Sequence, residues 1–244
     1  MQVREALPDV GVPELPAEPE LYVRTLLAAG YFESVQFTAE DRERAAQYQA
    51  NAARSAVLGS ASDLQSHLAS LQMQAHVSPF DAVGRTRVTQ LINKTNQFNL
   101  CTRRCSEAEI AALETTPGAL TMQVRLIDRF GDNGIIAVVV GLPDGNAWVL
   151  DTWLMSCRVL NRGMERAMLN VIVARARASG VQRLVGHYRP TEKNELVREH
   201  YARLGFTALP SAELSVGTSW ELDVASYQDL ETQIQIAGPW SPGP

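Results

Sequence analysis

Lysine is almost missing: only Lys94 and Lys193 stand among the 22 basic residues, so the positive charge is carried by arginine. With 27 acidic residues the net charge is −5, which excludes the strongly basic footprint of a nucleic-acid binder. Cysteine is scarce and odd in number, at Cys101, Cys105 and Cys157, so a disulfide framework is not expected and a cytoplasmic location fits best. No apolar run approaches the roughly 18–20 residues of a membrane span. The opening Met1-Gln2-Val3-Arg4-Glu5-Ala6 lacks the apolar core of a secretory signal. What remains is an ordinary globular composition, 45% hydrophobic and 20% charged.

The chain divides by its grammar. Residues 1–16, in which Leu7 to Pro16 is a short apolar stretch between prolines, are expected as the edge of another domain. Helices are expected from Glu18 to Ala29, stopped by Gly30, from Thr38 to Leu58, and from a Ser62 cap through Leu64, Leu68 and Leu71. Residues 17–72 thus read as a helical connector. From Met73 strands take over: Met73 to Phe80, a helix through Val88, Leu91 and Ile92, and a Ser106-capped helix from Glu107 to Leu113. Three apolar strands follow, Leu120 to Ile127, Gly134 to Leu142 and Ala147 to Met155, the last two joined by the hairpin signal Pro143-Asp144-Gly145-Asn146. Ile135 to Val140 is apolar on both faces and belongs in mid-sheet. A helix from Gly163 to Ala178, a strand from Arg183 to Tyr188, a helix from Asn194 to Leu204 and two strands near Phe206 and Trp220 complete a domain of residues 73–224. Residues 225–244 read as a flexible tail.

This element order resembles the Gcn5-related acyltransferase fold, an α/β class with a mixed central sheet, and Tyr201-Ala202-Arg203-Leu204-Gly205-Phe206 resembles its late signature. In that fold the turn after the Ala147–Met155 strand offers backbone N–H groups and a helix N-terminus to a pyrophosphate. Four further blocks narrow the likeness: Gln90 to Leu100 followed by Thr102-Arg103-Arg104, then Asp128 to Gly134, Trp153 to Leu160, and Pro190 to Asn194. Together they resemble FkbH-like proteins from about Val3 to Val224. Such proteins join a haloacid-dehalogenase-type phosphatase to an acyltransferase half. The resemblance implies that a glyceryl unit of 1,3-bisphosphoglycerate is captured as an enzyme thioester and passed to the phosphopantetheine thiol of acyl carrier protein, for polyketide precursors. The Asp-x-Asp-x-Thr-type loop of the phosphatase is absent here, so this chain reads as the acyltransferase half, with a phosphatase supplied in trans as a possible partner.

The chemistry-bearing residues each have two readings. Cys157, at a strand end beside Arg158 and an expected helix N-terminus, reads either as a small core residue or as an activated nucleophile. Cys101 and Cys105 complete no metal set and read as packing. His187, Asp128 and Asp132 are the candidate proton acceptors, the aspartates in a block with Arg129 and Asn133 too elaborate for a plain turn. Asn96, Gln97, Asn99, Arg103 and Arg104 form either a solvated face or a subsite for phosphate and hydroxyl groups, with Asn194 a further polar candidate. Arg158, Arg162 and Gly163 form the anion turn, where Asn161 replaces an expected glycine and tolerates positive φ. That substitution weighs against coenzyme A more than against pantetheine. No tightly bound cofactor is expected. The competing functions are coenzyme A-dependent N-acyl transfer and a non-catalytic carrier-docking half; neither nucleic acid nor membrane is an expected partner.

Overall fold

A computed structural model describes residues 12–30, 64–210 and 217–241. The Thr38–Leu58 helix, the Ser62 cap and the first half of the Leu7–Pro16 stretch lie outside the described residues. The chain forms two compact units, 1–45 and 46–244. In the first, a 3₁₀ turn at Pro19–Leu21 leads into α1 (Tyr22–Ala28), which ends where Gly30 takes φ +67°.

The second unit contains α2 (Leu64–Ser70), β1 (Gln74–Ser78), α3 (Arg85–Lys94), α4 (Glu107–Glu114), β2 (Leu120–Asp128), β3 (Gly131–Asp144) and β4 (Ala147–Met155). It continues with α5 (Met164–Ala178), β5 (Arg183–Tyr188), α6 (His200–Arg203), β6 (Thr207–Leu209), β7 (Thr218–Asp223) and β8 (Gln235–Ala237). From β1 to β7 this is the order expected of the Gcn5-related acyltransferase fold. One mixed sheet runs β6-β7-β5-β4-β3-β2-β1-β8. Ser106 caps α4 as expected, in a full capping box with Glu109.

The periodicity explains the layers. On β4, Leu150, Trp153 and Met155 face the core shared with α5, while Leu154 faces the smaller core with Val88 and Ile92 of α3. β3 carries apolar groups to both cores, Ala137 and Val139 to one and Val138 and Val140 to the other.

Two expectations are corrected. The Asn194–Leu204 helix is broken into a 3₁₀ turn at Glu195–Val197 and the short α6, because the Asn194 side chain is engaged in hydrogen bonds away from the helix. Residues 225–241 are no loose tail. Tyr227 donates to Asn170 Oδ1 on α5, Arg177 donates to the Val224 and Tyr227 carbonyls, and β8 pairs in parallel with β1. Three residues without alternation gave no strand signal, yet β1 offers them an open edge.

The feature that positions the site is a parting of strands. β4 and β5 pair in parallel only from Ala147 with Arg183 to Leu150 with Gly186. Asp151 then stands opposite no residue of β3, a bulge that bends β4 away. A strap, the segment Phe98 to Cys101, fills the gap. Leu100 N–H donates to Trp153 C=O (3.1 Å), Met155 N–H to Phe98 C=O (3.0 Å) and Arg189 N–H to Leu100 C=O (2.9 Å).

Candidate functional site

Between α5, α6 and the strap lies a cavity of about 520 Å³, within the ~300–1,000 Å³ of small-molecule sites. One wall is the β4–α5 turn, Leu160 to Arg166, apart from the buried Met164. The turn needs two left-handed residues: Asn161 at φ 61° and Gly163 at φ 76°, the N-cap of α5. Asn161 therefore adopts the conformation its amide tolerates, and Gly163, Glu165 and Arg166 bring the N-terminus of a fifteen-residue helix to the cavity wall. Arg162 is held there from behind. Its Nη1 donates to Asp128 Oδ2 (3.2 Å), whose carboxylate is wholly buried, and its Nη2 donates to the Arg158 carbonyl (2.9 Å).

Leu68, Phe98, Leu160, Leu196 and Leu204 supply apolar walls, and Arg162, Arg166 and Arg203 supply charge, against Glu165 and Glu231. Burial holds the Glu165 carboxyl above its ordinary range, only partly offset by its own backbone N–H and by Arg166. Such a group is a proton acceptor of tuned strength. His200 also lines the cavity, 6% exposed, its pKa pushed down to about 3 by burial and by Arg203. It is a neutral imidazole at any physiological pH.

The other face of the strap carries a second polar group. Arg103 Nη1 donates to Asp151 Oδ2 (2.9 Å), and His187 Nδ1 lies 3.0 Å from Ser219 Oγ. Burial lowers the His187 pKa, aided by Arg189 and opposed by Asp151, so His187 is neutral at pH 7. Cys101 donates from Sγ to the His187 carbonyl (3.2 Å), and burial pushes its thiol up to about 11, with Asp151 adding to the effect. That thiol stays protonated, in keeping with a packing role.

The expected site residues fall into distinct places. Arg162 and Gly163 line the cavity. Cys157 opens the 3₁₀ turn Cys157–Val159; it is exposed and outside the cavity lining, seven residues before α5 begins. Arg158 Nε donates to Ser156 Oγ (3.2 Å) on the same turn. Asp128, Asp132, Asn133 and Arg129 build the β2–β3 hairpin. Asp128 accepts from the Phe130 N–H and from Asn133, Asp132 pairs with Arg125, and Arg129 donates to the Ser70 carbonyl.

Asn99 and Asn194 brace the strap. Asn99 Oδ1 accepts from the Thr102 N–H, and Asn194 Nδ2 donates to the Asn99 and Arg189 carbonyls. Arg104 donates to the Ile92 carbonyl and to Asn96, and Gln97 is exposed. Glu165, Arg166, Leu196 and His200 were not among the expected residues. The Arg158–Gly163 turn pointed near Glu165 and Arg166, and the signature containing Tyr201 near His200, but a short broken helix hides which face looks inward.

No protein-family model matches the sequence, and a search of curated proteins found no match. Among solved structures, the ribosomal-protein-S18-alanine N-acetyltransferase of Escherichia coli is similar over 64% of this chain and 97% of its own, at 15% identity and a TM-score of 0.47. The GNAT domain of S. lividans PAT is similar over 60% of this chain and 89% of its own, at 17% identity and a TM-score of 0.48. A phosphinothricin acetyltransferase of the GNAT superfamily from Sinorhizobium meliloti, solved with AcCoA, is similar over 62% of this chain and 88% of its own, with a TM-score of 0.47.

Proposed function

We propose that this chain is an acyltransferase in which the donor or acceptor arm enters the cavity at the α5 N-terminus. The observation that carries this reading is the joining of the cavity to the β4–α5 turn: the N-terminus of α5 and Arg162 on one wall, apolar side chains on the others, and Cys157 at the turn's start. A phosphate fits the first wall and a pantetheine chain fits the second.

The finer form of the proposal is the one the FkbH-like motifs imply. The Cys157 thiolate attacks the carbonyl carbon of a glyceryl phosphate anhydride, a C–S bond forms, the C–O bond breaks and phosphate leaves. The thiolate of an acyl carrier protein's phosphopantetheine then attacks the thioester, and Cys157 recovers its electron pair. Exposure of Cys157 suits an encounter with a macromolecular carrier. Glu165 on the cavity side and His187 on the opposite face are the candidate proton acceptors.

Incubation with 1,3-bisphosphoglycerate followed by intact-mass measurement tests this. A glyceryl adduct on the natural chain, absent from Cys157→Ala and transferable to holo acyl carrier protein, is the expected result. An adduct that persists in Cys157→Ala removes the cysteine from the mechanism. Transfer from acetyl-coenzyme A to an amine with no protein adduct replaces the glyceryl reading by direct N-acyl transfer.

A further inference from the structure

The block Asp128 to Gly134 carries two aspartates, an arginine and an asparagine, yet none of its residues lines the cavity. A tight hairpin connection needs only its own backbone bonds. This one reaches along the chain in both directions. Backward, the Arg129 N–H donates to the Leu71 carbonyl (3.0 Å) and Arg129 Nη1 to the Ser70 carbonyl (3.2 Å). A helix C-terminus leaves such carbonyls over, and the chain turns away from α2 at Gln72, whose φ of 50° is one that glycine usually takes. Forward, Asp128 bonds Arg162 of the β4–α5 turn. Both connections end on the cavity: α2 gives Gln65 and Leu68 to its wall, and the turn gives Leu160 and Arg162.

The tip of the hairpin is shaped for this double attachment. Register shifts between Val124 and Arg125 and between Arg125 and Ile127 interrupt the β2–β3 ladder just before it, and such irregularities bend a hairpin and re-aim its end. Asp128 is engaged on both oxygens, Oδ1 by the Phe130 N–H (2.9 Å) and Oδ2 by Asn133 Nδ2 (3.2 Å) and Arg162 Nη1 (3.2 Å). The Asp128 side chain is 0% exposed and that of Arg162 11%. Because both charges leave water, such a pair is a poor source of stability compared with apolar packing. What it supplies is direction. A guanidinium bonded at Nη1 to a fixed carboxylate and at Nη2 to the Arg158 carbonyl has little freedom to turn.

Resting on the acyl-transfer reading above, we propose that the β2–β3 hairpin is the clasp of the cavity: Asp128 is a positioning residue that aims Arg162 at the bound arm, and Arg129 holds α2 in place as a second wall. The hairpin itself touches no ligand. It acts through Arg162 and α2, and it sets how the two walls stand to each other.

Calorimetric titration of pantetheine 4′-phosphate into the whole protein tests this in a double-mutant cycle. Asp128→Asn and Arg162→Gln are each expected to weaken binding about tenfold, and the double variant also by only about tenfold, since one residue acts through the other. A hairpin that merely supports the fold gives losses that multiply, to about a hundredfold. Arg129 is exposed, so Arg129→Gln folds whatever becomes of the buried pair, and about threefold weaker binding is expected of it. Multiplying losses, unchanged binding by a folded Asp128→Asn or by Arg129→Gln, or no binding by the natural chain each overturns the proposal. Multiplying losses with a glyceryl adduct still formed would remove the clasp and leave the transfer reading standing. A coupled cycle without an adduct would keep the clasp and remove the transfer chemistry.

Discussion

Two loops of this protein look alike in sequence and behave differently. Residues 95–104 and 156–166 each carry arginines and amides between an apolar element and a helix. In the first, most of the polar groups are consumed by the fold: Asn99 and Arg104 bond the backbone, and Arg103 bonds Asp151. In the second, Arg162 is engaged by the buried Asp128 and the Arg158 carbonyl and Arg158 by Ser156, whereas Gly163, Glu165 and Arg166 line a cavity. Polar composition marks both as site loops; the strands they abut decide which one is. A gap between parting strands demands backbone hydrogen bonds, whereas a helix N-terminus has N–H groups left over.

That contrast can be broken from several sides. The largest effect is expected at the brace. Asn194→Ala removes a wholly buried side chain and its bonds to two carbonyls and the Thr191 N–H, and should lower stability by about 3 kcal/mol in denaturant melts. An equal loss from a cavity residue such as Arg166 would erase the distinction.

Next comes acid. His200, in the layer between the two loops, is held at about 3 when folded, against an ordinary value near 6.5. The unfolded chain therefore binds the extra proton first. Stability from this group is complete above about pH 6.5 and falls by about 1.4 kcal/mol per unit as pH drops toward 3. Thermal unfolding between pH 7 and 5 checks the slope, and His200→Gln should flatten it.

A smaller loss, about 1–2 kcal/mol, is expected for Gly163→Ala. A Cβ would meet nothing within 4 Å, so the cost is that of a left-handed backbone alone. The least effect on stability, within about 0.5 kcal/mol, is expected for Arg166→Gln, an exposed side chain. The same change should weaken pantetheine 4′-phosphate severalfold. A stability loss without a binding loss would place Arg166 with the bracing arginines instead.

How far the sequence carried this far is a matter of range. The bounds of Ala147–Met155 and Arg183–Tyr188 were readable to the residue, because each is apolar between turn signals. So was the N-cap of α4, whose Ser106 and Glu109 act across three residues. What was not readable depends on partners far along the chain. Nothing near Asn194 shows that Asn99 is its partner, and nothing in Gln235-Ile236-Ala237 shows that β1 has a free edge. At the site, Arg162 and Gly163 were legible from the turn. Glu165 and His200 were not, because their environment is made by burial and by elements that meet only in the folded chain.

The pairing of β8 with β1 has a kinetic consequence. Gln74 lies beside Gln235, so the first and last strands of the sheet close a loop around nearly the whole domain. Such a contact forms only after the chain between is arranged, since closing a long loop is entropically costly before other contacts support it. Glu231, Thr232 and Gln233, which lead into β8, also wall the cavity. The site is therefore completed by the segment whose docking ends folding, and a chain still emerging from synthesis has the sheet before it has the pocket.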